Sequence, residues 1–437
     1  MHKVDLSRLS AMEAARKLAA REVSAEKVLR HCLERITERE PTVHAWTFLD
    51  VDAAVKRAQA LDAGATKGLL HGLPIGVKDV FDTFDMPTAY GSPIYTGHRP
   101  ASDAACVALA RAAGAVVVGK TVTTEYATFH PGPTCNPRNP AHTPGGSSSG
   151  SAAAVADWMV PLAFGTQTAG SIVRPAAFCG VVGYKPTYGT LNRVGVKMIS
   201  DTLDTIGVLA RNVPDAALFV SALSGREELL IEHSSIDTPR IGLCRTYEWD
   251  RAQPETVAAF EDAGKRLRTA GASVRDIALA PPFAGLAEAQ IAIMVAEVAR
   301  CLSHEWLVHR DKLSRELKTM IEAGLAVTPE RYEAAQALAI ECRALLPQVF
   351  DGCDVLIAPS AMGEAPMGIE ATGDPLFNRI WTLLRTPVVH VPCALGPSGL
   401  PLGVSVIGPV GADRATLLAA NWVQAKIGLA DNWIPNA

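Results

Sequence analysis

The run TPGGSSSGSAAAVA, residues 143–156, constrains this chain more than any other stretch. A segment so rich in Gly and Ser usually forms a flexible linker between polar, weakly patterned flanks. These flanks are of another kind. NPRNPAHTP precedes the run, and its prolines restrict the backbone. SAAAVADWMVPLAFGTQTAGS follows, an Ala-rich helix and then a strand or turn. The run therefore reads as a tight turn feeding a helix inside a folded unit. Ser147, Ser148, Ser149 and Ser151 sit where that helix begins. The N–H groups of a helix start lack partners within the helix and can bind an oxyanion or a carboxylate.

The rest of the chain has the texture of an α/β protein. Residues 1–65 read as helical, with Ser24 capping AEKVLRHCLERITE and a second helix in DVDAAVKRAQALD. From 69 onward the texture is apolar, β-branched and punctuated by Gly and Pro. The helix DAACVALARAAG leads into the buried strand pattern GAVVVGKT. Further strands are expected at RIGLC, SVRDIAL, DVLIAPS and PVVHVP, with helices at 254–271, through most of 283–350, and near RATLLAANWVQAKIG.

Composition narrows the function. Hydrophobic residues are 48% and charged residues 20%, with a formal net charge of −4. Nothing in that balance supplies the basic patch that nucleic acid requires. No continuous run of 18 apolar residues occurs, so no membrane span is expected. The first twenty residues show neither a continuous apolar core nor a cleavage-site pattern, and no signal peptide is expected. Nine cysteines without a CxxC pair read as reduced thiols of a cytoplasmic protein, with Cys179 a packing residue. Two motifs mislead. GAVVVGKT fits the expression of a phosphate-binding loop, but its middle residues form the strand itself. HEWLVH spaces its histidines five apart, whereas a zinc-binding helix needs them one turn apart on one face. No metal site and no cofactor is expected.

Two further segments bring chemistry to the Ser/Gly run. GLPIGVKD places Lys78 in an apolar setting, where burial favours the neutral amine and makes it a candidate base. GTQTAGSIVRPAAFCG carries Ser171 after Thr168, Ala169 and Gly170, small residues that leave successive N–H groups open for an oxyanion. A serine paired with a lysine base is a recurrent form of acyl-transfer chemistry.

In these motifs the sequence resembles the amidase signature family. The match runs through PGGSSSGSAAAVA…VPLAFGTQTAGSIVRPAAFCGVVGYKPTYG (144–189), with GLPIGVKDVFDT and VVVGKTVTTEYA upstream and DTLDTIGVLARNV and GLPLGVSVIG downstream. The resemblance implies one α/β/α unit, a large mixed twisted sheet covered by helices on both faces. In that reading residues 1–65 form a helical segment packed on a catalytic domain of residues 66–437. It implies Ser171 as nucleophile, Ser147 in a cis peptide as proton relay, Lys78 as base, and the N–H groups of Thr168, Ala169, Gly170 and Ser171 as oxyanion hole. Ser147 and Ser171 are 24 residues apart, the spacing of the family.

Within the family the run, together with TGDPLFNRIWTLL, is most similar to bacterial malonamidase. That branch implies Arg174 as the ligand of a substrate carboxylate, as in malonamate; a structural arginine paired with an acid is the other reading. Ser148, Gln167, His130, Asn378, Trp381 and Thr382 are the further candidates for lining the substrate pocket. Gln167 stands where many members have Asp, Ala169 replaces the first residue of a Gly pair, and Arg385 stands where relatives carry a small residue. The implied activity is hydrolysis of a small linear amide without metal or organic cofactor, by a homodimer. The alternatives are hydrolysis of esters, hydrazides, carbamates or ureido acids, the role of an amidotransferase A-type subunit, and a non-catalytic binding module.

Overall fold

The computed structural model describes residues 5–232 and 236–429. Eleven strands form one mixed sheet with helices on both faces. In chain order they are β1 (Trp46–Leu49), β2 (Pro74–Lys78), β3 (Val116–Thr121), β4 (Leu162–Gln167), β5 (Val182–Lys185), β6 (Thr205–Ala210), β7 (Arg240–Cys244), β8 (Ser273–Ile277), β9 (Val355–Pro359), β10 (Val388–Leu395) and β11 (Pro401–Ile407). Across the sheet they run β1-β3-β2-β4-β6-β5-β10-β11-β9-β7-β8. Every residue of β2, β3 and β4 is buried, which is why these strands read as continuous apolar runs rather than alternating ones.

Strand β2 pairs in parallel with both β3 and β4. Parallel neighbours end on the same edge, so the carboxyl ends of β2 and β4 open side by side, where open α/β sheets bind ligands. Lys78 is the last residue of β2, and residues 168–171 follow directly on β4.

The N-terminal segment departs from the helical reading at one place. Helices Ala11–Ala19, Ala25–Val43 and Val51–Ala63 form as expected, and the Ser24 side chain accepts the Lys27 N–H at 3.1 Å. Between the last two lies β1, antiparallel to β3. Residues before 66 thus supply the edge strand of the same sheet and share its hydrophobic core. Asp215 accepts the N–H groups of Ala11 and Met12 at 2.8 and 2.9 Å, tying the first helix to Val213–Ser224. Among the described residues one helical stretch, Pro281–Cys301, is long and apolar enough to cross a membrane; it is mostly buried and packs on Arg315–Leu325 and Pro329–Val349.

Helix Ser149–Ala156 lies wholly in the interior because its side chains are small. Gly150 marks the closest approach: a Cβ there would stand 2.1 Å from the Ala45 carbonyl oxygen and 2.4 Å from the Val122 nitrogen. Both are backbone atoms and cannot swing aside. Gly150→Ala is expected to destabilise the fold by roughly 3 kcal/mol or more, beyond ordinary overpacking. A urea midpoint unchanged from wild type would contradict this contact.

Candidate active site

Three segments converge at the shared edge of β2 and β4. Lys78 comes from β2, Ser147 from the turn before helix Ser149–Ala156, and Ser171 from the turn after β4. Gly145 takes φ +78°, a left-handed conformation in which a side chain is strained, and a Cβ there would also meet Pro175 at 2.9 Å. The peptide bond between Gly146 and Ser147 is cis. The Lys78 Nζ lies 2.8 Å from Ser147 Oγ and 2.7 Å from Thr166 Oγ1. Ser171 Oγ has no protein hydrogen bond among the described residues and borders a small, tight cavity. The walls of that cavity include Phe129, Ile199, Met294 and Met320, with Thr168 and Arg174 as polar members. A wider groove near Ser10, Arg16 and Asn421 brings no such hydroxyl–amine pair together.

Lys78 is fully buried, and burial pulls its amine well below the ordinary lysine range. The charge of Asp204 opposes that shift, and Arg174 adds to it. A neutral amine 2.8 Å from a hydroxyl is placed to take its proton. Asp204 is itself buried, which raises its carboxyl to about 6. It accepts the Thr168 hydroxyl at 2.5 Å and the N–H groups of Ile199 and Ser200 at 2.8 and 3.0 Å.

After β4 the backbone N–H groups of Thr168, Ala169, Gly170 and Ser171 donate to no protein acceptor among the described residues. Buried N–H groups are nearly always paired, so four successive free donors beside a free serine hydroxyl form a ready site for developing negative charge. Asn378 Nδ2 donates to the Ser360 carbonyl at 3.0 Å, which leaves Oδ1 against Gly170. A Cβ at position 170 would stand 2.4 Å from that oxygen.

Arg174 is buried, and burial, with Arg379 nearby, pushes its guanidinium down to about 9. Its Nη2 donates to the Gly146 carbonyl at 2.7 Å and to Thr372 Oγ1 at 3.2 Å. Its Nε and Nη1 have no protein partner, and among the described residues no carboxylate reaches ion-pair distance.

Several expected pocket residues lie elsewhere. Gln167 is spent on the protein: its Nε2 donates to Thr382 Oγ1 at 2.9 Å, and its Oε1 accepts the N–H groups of Ile172 and Val173 at 2.9 and 3.1 Å. Ser148 Oγ donates to the Ser171 carbonyl at 2.6 Å, so it holds backbone rather than ligand. His130 is half exposed and pairs with Glu316 at 3.1 Å, outside the cavity its neighbours Thr128 and Phe129 line. Trp381 belongs to the core, and the Arg385 guanidinium lies over the Tyr188 ring at 4.4 Å. Ser149 and Ser151 bind the carbonyls of Gly145 and Phe164. Cys179 is buried, its thiol pushed up to about 12, in keeping with packing.

Sequence reasoning assigned no role to Thr166, Asp204 or Gln290. Asp204 lies inside DTLDTIGV, where an acid in an apolar run was a usable signal. Gln290 carried none, being one polar residue in a helical pattern.

The amidase family model matches residues 27–417. The A subunit of glutamyl-tRNA(Gln) amidotransferase from Acidothermus cellulolyticus is 37% identical over 470 residues, covering 94% of this chain and 92% of that protein. The crystal structure of an amidase superposes with a TM-score of 0.88 at 32% identity, covering 96% of this chain and all of that one. The native peptide amidase of Stenotrophomonas maltophilia gives 0.81 at 29% identity, covering 98% and 99%. Family model, relatives and superpositions agree over nearly the whole length: the chain belongs to the amidase signature family.

Proposed function

We propose that this protein cleaves the C–N bond of small amides through an acyl-enzyme on Ser171. The observation that carries the reading is the 2.8 Å contact between Ser147 and the buried Lys78, whose amine burial pulls well below the ordinary lysine range, beside the free hydroxyl of Ser171 and four free N–H groups. Lys78 Nζ takes the Ser147 proton as Ser147 takes that of Ser171. Ser171 Oγ attacks the amide carbonyl, and its oxygen becomes an anion held by the N–H groups of residues 168–171. The intermediate collapses, the C–N bond breaks, and Ser147 gives a proton to the departing nitrogen while Lys78 returns its own to Ser147. Water attacks the resulting ester by the same relay. It frees the acid and returns the proton to Ser171, so one amide and one water give one acid and one amine.

The substrate carries a carboxylate. Arg174 lines the cavity with its Nε and Nη1 unpartnered, so its guanidinium has charge-assisted hydrogen bonds left to offer a carboxylate. Malonamate, suggested by the motif run, meets this requirement, and so does glutamine. The identity to the A subunits of amidotransferases favours the second reading, in which the chain deamidates a donor amide within a larger assembly. The same acyl-enzyme chemistry serves both.

The test is an amide panel on the purified chain alone, with malonamate, glutamine and their neutral analogues, for wild type and Arg174→Met. Turnover of short amides without partners supports the stand-alone amidase; turnover of glutamine only after cell extract is added supports the amidotransferase reading. Arg174 also holds Gly146, so the variant will lose rate on every substrate. The ratio of kcat/KM for acid over neutral amide is expected to fall about 10–100-fold, the worth of charge-assisted hydrogen bonds. An unchanged ratio would remove the carboxylate.

A further inference from the structure

Free N–H groups serve an oxyanion only while they point at it. A peptide group is planar, and in the trans form its N–H points opposite its C=O. The aim of each N–H is therefore set by whatever holds the carbonyl of the preceding residue. Three of those carbonyls, the ones that precede Ala169, Gly170 and Ser171, are held. Thr168 O accepts from Gln290 Nε2 at 3.0 Å, fixing the plane that carries the Ala169 N–H. Ala169 O accepts from Thr382 Oγ1 at 2.7 Å, fixing the plane of the Gly170 N–H. Gly170 O accepts the Arg174 N–H at 2.8 Å, fixing that of Ser171.

Two of the three holders are side chains, and both are themselves held. Arg379 Nη1 donates to Gln290 Oε1 at 2.8 Å, which fixes which end of the Gln290 amide faces Thr168. Gln167 Nε2 donates to Thr382 Oγ1 at 2.9 Å, which leaves the Thr382 proton for a carbonyl, and that of Ala169 at 2.7 Å is nearer than that of Asn378 at 3.2 Å. Gln290 and Thr382 are fully buried. Both polar atoms of the Gln290 amide and the Thr382 hydroxyl thus have partners, and buried polar groups held in this way are rigidly placed.

We propose that Gln290 and Thr382, backed by Arg379 and Gln167, are positioning residues that aim the Ala169 and Gly170 N–H groups at the oxyanion. The proposal rests on Ser171 as nucleophile. It also accounts for Gln167, whose reach spans both Thr382 and the start of the following helix.

Thr382→Val keeps the side-chain shape and removes the hydroxyl. Gln290→Glu keeps the acceptor for Arg379 and removes the donor to Thr168. Each is expected to lower kcat about 10–100-fold, a part of the 10²–10³-fold cost of deleting an oxyanion donor, with KM within about twofold. Thr382→Ser should restore kcat to within about threefold. Affinity for a boronic acid, which forms a tetrahedral adduct on a serine, should fall with kcat, while affinity for the planar product acid should not move.

Wild-type kcat in folded Thr382→Val and Gln290→Glu overturns the proposal. So does an equal fall in product affinity, or a Thr382→Ser variant as slow as Thr382→Val. If neither variant folds, these side chains serve the fold and the proposal falls. Failure of the underlying reading looks different: the wild-type chain itself would then hydrolyse no amide and take no fluorophosphonate label on Ser171.

Discussion

Ser171→Ala is expected to reduce amide hydrolysis by at least about 10⁴-fold and to leave the fold intact. The two halves of that expectation have separate causes. The chemical half follows because no other hydroxyl occupies the same position. Ser147 lies against Lys78, Ser148 donates to the Ser171 carbonyl, and Ser149 and Ser151 bind flanking carbonyls. The structural half follows because the Ser171 hydroxyl has no protein partner among the described residues, so its removal strands no buried group. The change in stability is expected to be about 1 kcal/mol or less. The measurement pairs kcat/KM on the preferred amide with a denaturant midpoint and fluorophosphonate labelling. A folded variant that retains activity within about tenfold of wild type would take Ser171 out of the chemistry. A variant that unfolds would show that the hydroxyl has a structural partner after all.

Lys78, Ser147 and Ser171 each sit in a run whose local texture is unusual, and the fold brings those runs to one edge of the sheet. Texture alone could not single out Lys78. Lys120 in VVVGKT and Lys185 in VGYK have the same apolar surroundings, and all three lysines are fully buried. Only their partners differ. Lys120 meets the Phe81 carbonyl, the Thr88 hydroxyl and Asp79, while Lys185 meets the carbonyls of Pro186 and Thr386. Lys78 alone meets the hydroxyl of Ser147. That distinction comes from parallel pairing of β2 with β4, a long-range fact that no local pattern carries. The same limit hid β1. Four residues give only two periods of alternation, and their stability comes from pairing with β3, some seventy positions away. Gln167, Gln290 and Thr382 were illegible as a group for this reason too: their roles lie in which carbonyls they reach, and residue type says nothing about that.

Lys78→Met is expected to lower kcat/KM about 10²–10⁴-fold, the usual worth of a positioned base, and to change two pH profiles with it. The first is the rate. Only the neutral amine can take the Ser147 proton, so wild-type kcat/KM should rise with pH through the Lys78 titration and then level off. Burial has pulled that titration well below the ordinary lysine range, so the plateau should be reached before the pH at which a free lysine loses its proton. The charge of Asp204 pulls the other way, and Asp204→Asn should therefore move the rise to lower pH. The second profile is stability. Between the lowered folded value and the ordinary lysine value of 10.5, the unfolded chain holds a proton on Lys78 that the folded chain does not. Stability must therefore gain from this residue as pH rises across that window, and Lys78→Met lacks the gain. The stability of the wild type relative to the variant should grow with pH from neutral toward 10.5, measured by denaturant midpoints at several pH values. A gap that stays constant, or shrinks, would mean that Lys78 keeps its proton in the folded chain, and a lysine that keeps its proton has no lone pair with which to act as the base.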